Sequence, residues 1–314
     1  MGAHTGTISI IKKRKNPLLL MKRHWELYLL LLPTLLYISI FLYAPMGGVL
    51  IAFKDFSPSL GIFGSPWAGF KHFERFFNSF VFFDILYNTI SLSVYNLAAN
   101  FPIPIIFALL LNQLTQKRYK KFVQTVSLAP HFISVVVIVG MLSVFLSPNT
   151  GIINIIINRL GGDPVFFMGR ADLFQPVFVW SNVWQHTGRA AIIYIAALAG
   201  ISPDLHEAAM VDGASKFQRT LHIDIPGIMP TVIIMLLLNL GQIMNIGFER
   251  ALLMQNSLNI LRSELISTYV YKVGILNAQF SFATAVGLFN SVIGFLLIIS
   301  VNGIARKVGN TSLW

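Results

Sequence analysis

The chain has no cysteine, which excludes disulfides, thiolate metal sites and a cysteine nucleophile. Charge is scarce too. Only 11% of the 314 residues are Asp, Glu, Lys or Arg, against about 25% in soluble domains. No Gly-x-x-x-x-Gly-Lys-Ser/Thr string occurs, so the chain cannot hydrolyse ATP through a P-loop. Asp and Glu are missing from the long apolar runs. That argues against a secondary transporter or channel for a polar solute, whose helices carry their own coupling-ion residues. No catalytic set appears, which argues against a membrane-embedded hydrolase.

What is present is apolar. Hydrophobic residues make up 55% of the chain, and mean hydropathy is +0.70. They fall in runs that suit a bilayer rather than one globular core. The net charge of +11 does not point to nucleic acid. Its residues sit between apolar runs, with no basic stripe and no interleaved aromatics. Loop charge of this kind sets membrane topology.

Stretches of about 20 residues without charge predict spans. Six arise, at roughly 27–53, 85–112, 122–147, 174–200, 227–248 and 282–305. The fourth is the least pure, holding His186 and Arg189. Alternation is absent, which excludes a membrane barrel. The expected fold is an all-α integral membrane protein with six transmembrane helices. Lys12, Lys13, Arg14, Lys15, Lys22 and Arg23 precede the first run as in a signal peptide. That run is far longer than a signal core of about 7–15 residues, so it reads as a retained span.

With the N-terminus inside, 14 Lys and Arg fall on inner segments and 8 on outer ones. The positive-inside rule then places both termini in the cytoplasm. The expected division is a cytoplasmic segment at 1–26, a transmembrane domain at 27–306 and a cytoplasmic tail at 307–314. Pro33, Pro45, Gly47, Gly48, Pro102, Pro104 and Gly140 punctuate the spans, through irregular packing or through bending around a path. The outer loop at 54–83 is rich in aromatics, which favour the membrane interface. Contact with a delivery protein is a second reading of it.

The loop at 200–229 falls inside. Ser202 is a fair N-cap with Pro203 at the first helical position. Asp204 and Glu207 suit the positive end of the helix dipole. Ala208 and Ala209 favour helix, and Gly213 ends or turns it. A second short helix carries Phe217 and Leu221 on one face and is expected to stop at Pro226. The element is expected to dock into something.

Glu207, Ala208, Ala209, Asp212, Gly213, Ala214, Phe217, Ile223 and Pro226 together resemble the EAA loop of binding-protein-dependent ABC importer permeases. In that family the loop is the coupling helix, seated in a cleft of the ATPase. Further stretches are similar to the LplB-type permeases of oligosaccharide and polysaccharide uptake, pectin- and alginate-derived glycans included. They are Trp25-Glu26-Leu27-Tyr28, Phe41 to Gly48, Ala52-Phe53-Lys54-Asp55, Ser65 to Phe70, and Ser312-Leu313-Trp314. The resemblance covers nearly the whole chain. It implies the inner membrane of a bacterium with its lipid, a second homologous permease, and two ATPase subunits that bind ATP and Mg. It also implies an extracytoplasmic solute-binding protein and a glycan substrate, with no cofactor in this chain.

His206-Glu207-Ala208-Ala209-Met210 approaches the zinc-protease pattern His-Glu-x-x-His, but Met210 cannot replace an imidazole. No metal site is expected. Polar residues inside the spans are candidates for a substrate path: Asn182, Trp184, Gln185, His186 and Arg189 in span four, Asn239, Gln242 and Asn245 in span five, and Asn290 in span six. Asn182, Gln185 and Arg189 recur at helical spacing and are expected on one face, as are Gln242 and Asn245. Amides and aromatics suit sugar hydroxyls and ring faces, and Arg189 suits a uronate carboxylate. The same residues would equally serve as bonds between helices.

Overall fold

A computed structural model describes residues 25–309, with side chains as far as Gly303. Residues 1–24 of the expected N-terminal segment and residues 310–314 of the C-terminal tail, with the Ser312-Leu313-Trp314 motif, lie outside the described residues. Contacts divide the chain into one unit ending at Leu50 and another beginning at Ile51.

The described residues are helical, and their only β-pairing is a single bridge between Lys54 and Trp67. Four helical rods are long and apolar enough to cross a bilayer: Trp25–Phe53, Phe82–Asn112, Lys216–Gly241 and Phe280–Gly303. Two bent pairs, Lys117–Phe132 with Val135–Phe145 and Ala171–Ala199 with Pro203–Val211, make six when each is counted as one span.

Span three corrects an expectation. The charge-free run 122–147 predicts one rod, but the chain turns by 98° between Phe132 and Val135. Pro130 lies in a tight turn over Ala129–Phe132, Ile133 is extended, and Ser134 caps the next helix by accepting a hydrogen bond from the Val137 amide. Val135–Phe145 has 11 residues, about 16 Å of helix, too short for a core of about 30 Å. Counting charges cannot see a cap.

Pro226 corrects another. It does not stop a helix; Lys216–Gly241 runs through it as one rod. A widened turn at Thr220–Asp224 comes just before, where the Ile225 amide reaches back five residues to the Thr220 carbonyl. Ser39–Tyr43 has the same widened turn, closed by the Ala44 amide on the Ser39 carbonyl, directly before Pro45. Proline lacks an amide proton and crowds the carbonyl four residues back. One extra residue in the preceding turn shifts that carbonyl register.

The connections sort by parity. In the unit from Ile51, the segment after span one meets the segment before span six, where the Phe56 amide donates to Ser281 Oγ at 2.9 Å. The connection after span three joins the one after span five through Asn256 and the Met168 carbonyl at 2.7 Å. At the opposite end, Gln113 after span two donates to Thr220 Oγ1 at the head of span five, at 2.9 Å. Six crossings, with each bent pair counted as one span, require this grouping. Three buried clusters join the spans. Ala108, Ala191, Tyr194, Leu198 and Ile228 form the one that ties spans two, four and five at the Gln113 end.

Candidate functional site

The loop between spans four and five folds as its residues dictate. Ser202 Oγ accepts from the Asp204 amide, and Pro203–Val211 is helical. Gly213 has φ +80°. The Ala214 amide bonds the Ala209 carbonyl at 2.8 Å and the Gly213 amide bonds the Met210 carbonyl at 3.1 Å. That paired closure is the Schellman motif, which demands a left-handed residue where Gly213 stands. Ser215 then opens span five with a capping box to Gln218, a Ser-x-x-Gln signal present in the sequence.

Glu207, Ala208, Asp212 and Gly213 are exposed, while Ala209 and Ala214 are half-buried. No residue of Pro203–Val211 is buried. Val211 is 88% exposed and Phe217 75%, leaving large apolar side chains uncovered on this loop. Pro226 is exposed on span five, away from this group.

Beneath the exposed face the loop is anchored. His206 Nε2 lies 3.3 Å from Asp224 Oδ1, and Asp224 is fully buried. Gln113 donates to Asp224 Oδ2 at 3.3 Å. One carboxylate therefore joins the short helix, the end of span two and the head of span five. Beside it, a Cβ on Gly227 would stand 2.6 Å from the Ile201 side chain, so the chain leaving span four rests directly on span five.

A second polar site lies between spans two and five. Ser93, Asn96, Asn100, Asn239, Gln242 and Asn245 line a pocket of about 160 Å³. Asn96 Oδ1 accepts from Asn100 at 2.6 Å and from Asn182 at 2.9 Å. Asn290 sits under the pocket, donating to Asn245 Oδ1 at 3.2 Å. Such a belt offers donors and acceptors without net charge, which suits hydroxyl groups.

Residues 100–310 match the family model described as binding-protein-dependent transport system inner membrane component. The chain belongs to that family. This permease is 44% identical to Protein LplB of Bacillus subtilis, covering 98% of its own length and 99% of the relative. It is 40% identical to the polygalacturonan/rhamnogalacturonan transport system permease protein YteP of the same organism, over 97% and 96%. A solved chain of a bacterial ABC transporter involved in import of the acidic polysaccharide alginate superposes with TM-score 0.88 at 38% identity, covering 94% of the permease and all of that chain. A chain of a bacterial alginate ABC transporter, solved in complex with an alginate pentasaccharide-bound periplasmic protein, superposes with TM-score 0.87 at 38% identity, over 93% of the permease and 98% of that chain. The protein is an all-helical membrane permease of the ABC importer type.

The permease separates the polar residues of span four. Asn182 and Arg189 are seven residues apart and share a face. Arg189 is exposed with no polar partner among the described residues. Gln185 points inward instead and is buried. Its amide donates to the Ile133 carbonyl at 2.8 Å, at the break in span three, and its oxygen accepts from Arg250. Trp184 faces an apolar pocket with Trp180. His186 meets His131 at 3.3 Å. Asn239, Gln242 and Asn245 gather at the amide pocket, where Ser93, Asn96 and Asn100 join them. The sequence signal for those three is the one that marks Asn182, a polar residue in an apolar run.

Arg250 falls in an outer connection by charge counting, yet it is buried. It donates to Ser181 Oγ at 2.7 Å and packs over the Phe178 ring at 5.8 Å. Gly247 precedes it at φ +46°, and a Cβ there would stand 2.4 Å from that ring. The glycine lets the chain fold back and carry a guanidinium against the middle of span four.

Proposed function

We propose that this permease subunit carries oligosaccharide or polysaccharide, acidic glycans such as alginate included, across the bacterial cytoplasmic membrane. It works by alternating access with a second homologous permease, two ATPase subunits that bind ATP and Mg, and an external solute-binding protein. Both termini are cytoplasmic, and the transmembrane domain is 27–306.

The observation that carries the substrate class is likeness over nearly the full chain to permeases of glycan systems. The amide pocket and Arg189 fit it chemically. Amides pair with sugar hydroxyls, and a guanidinium pairs with a uronate carboxylate in two parallel bonds. A bare Arg on a spanning helix costs about 2.5–3.5 kcal/mol in lipid, so Arg189 belongs against a wet cavity or a partner.

The Pro203–Val211 helix is the coupling element of the EAA loop at 200–229. Glu207, Ala208, Ala209, Asp212, Gly213, Ala214 and Phe217 present it to the ATPase, while Pro226 shapes the rod behind it. ATP-driven closure of the ATPases pushes this helix. The push reaches span five through His206 on Asp224 and Ile201 on Gly227, and span two through Gln113. The spans then open outward to receive glycan from the binding protein, and hydrolysis resets them.

The test is ATPase activity and uptake by the purified complex in lipid. Binding protein loaded with uronate oligosaccharide should stimulate both. Arg189→Gln should weaken uronate uptake more than neutral-glycan uptake. Equal loss on both would remove Arg189 from the path, and no stimulation by any glycan would refute the substrate class.

A further inference from the structure

The outer end holds a polar pocket that the amide belt and the coupling loop do not use. Its volume is about 330 Å³, between the Lys71–Phe77 helix and the turn that leads into span six. Arg75 crosses it. One guanidinium nitrogen donates to Gln279 Oε1 at 2.8 Å, and the guanidinium lies 4.3 Å from the Phe282 ring centre. This stacking holds the fork flat and in place.

The walls are fixed. The Phe56 amide bonds Ser281 Oγ at 2.9 Å, and Phe56 meets Phe280 edge-on at 5.9 Å. Ala278, on the rim, has φ +54° and is the one residue other than glycine with positive φ among the described residues. A non-glycine residue held there costs about 1–2 kcal/mol. Such strain persists where the surroundings over-determine it, often at binding sites.

The charges in the pocket do not balance. Asp55 is the one carboxylate lining it, and Lys71 at 2.9 Å and His72 at 3.1 Å already occupy it. The Lys71 ammonium holds the Asp55 carboxyl below the usual carboxylate range, so that pairing persists at neutral pH. No carboxylate lies within ion-pair distance of Arg75 among the described residues. A positioned, stacked guanidinium with only a neutral amide for partner is half of a bidentate pair.

We propose that this pocket receives an Asp or Glu side chain of the external solute-binding protein, with Arg75 as the recognising group. The inference rests on the reading above, in which this end faces outward and meets that protein. The bond forms on docking whether or not glycan is bound.

The test uses the assembled complex in lipid, with ATPase rate measured against concentration of the transporter's own solute-binding protein. Arg75→Glu should raise the half-saturating concentration roughly tenfold, the scale of a charge at an interface rim, with the maximal rate retained. Arg75→Lys keeps the charge but not the fork, so it should restore only part of the affinity. Gln279→Glu leaves Arg75 in place and gives it an internal carboxylate, so it should also weaken docking. Because that change leaves the packing intact, an unaltered half-saturation for Gln279→Glu overturns the proposal, whatever Arg75→Glu does to folding. Glycan-loaded and glycan-free binding protein should shift alike; a shift confined to the loaded form makes the pocket a glycan contact and overturns it too. If no binding protein stimulates the wild-type complex, the functional reading fails. If stimulation is normal and both variants are silent, only this inference fails.

Discussion

Gly213 shows how one residue shapes the loop between spans four and five. A Cβ there meets nothing within 4 Å, so its φ of +80° is the only obstacle to substitution. Gly213→Ala should cost about 1 kcal/mol in local backbone strain, and Gly213→Asn less, since Asn tolerates this region. Uptake per ATP hydrolysed should fall with Ala and largely recover with Asn. Equal loss for both would mean that the site needs the bare backbone rather than the turn. Arg250 behaves differently. Arg250→Lys keeps the charge but cannot reach Ser181 and Gln185 together, and each buried acceptor left unpaired costs about 1–3 kcal/mol. Thermal unfolding of the purified permease should move down by several degrees even for this conservative change. Gly213 was readable from sequence because a turn signal is local. Arg250 was not, because its partners lie 69 and 65 residues away and charge counting places it in an outer connection.

Elements were legible where their causes are local and lost where packing decides. Four of the six expected spans emerge with small shifts at their ends, since a charge-free run of sufficient length has few alternatives to a membrane helix; the fifth, expected at 227–248, runs from Lys216 to Gly241 because the helix continues through Pro226. The third breaks because Pro130, an extended Ile133 and the Ser134 cap act together. Gln185 fills the gap by binding the carbonyl exposed at the break. Two glycines separate packing from flexibility. On Gly188 a Cβ would stand 2.1 Å from the Ser127 carbonyl oxygen, so span four touches the backbone of the Lys117–Leu128 helix there. On Gly140 a Cβ meets nothing within 4 Å. Gly188→Ala should destabilise by about 1–3 kcal/mol through overpacking. Gly140→Ala should stabilise slightly, by about 0.5–1 kcal/mol, through lower chain entropy. Melting temperatures of the two purified variants should move in opposite directions. The amide belt was half legible. Asn239, Gln242 and Asn245 stand out in span five, but only the fold shows that Asn96 and Asn100 face them.

For the whole molecule, topology and coupling are the claims at stake. The absence of cysteine makes the chain a clean background for labelling. A membrane-impermeant maleimide added to intact spheroplasts should label Asn78→Cys, and should label Gln116→Cys only after permeabilisation. The reverse pattern would invert the orientation. The coupling account rests on an exposed short helix fastened from below to spans two and five. Its most direct measurement is the complex reconstituted with both permeases, both ATPases and glycan-loaded binding protein, with ATP hydrolysis and glycan uptake read together for Glu207→Ala and for Asp224→Asn. The account predicts that Glu207→Ala weakens the ATPase contact, while Asp224→Asn keeps the ATPases bound and hydrolysing but lowers uptake per ATP, because the push loses the His206–Asp224 route and keeps only the packing of Ile201 on Gly227. Normal uptake per ATP in both variants would contradict it.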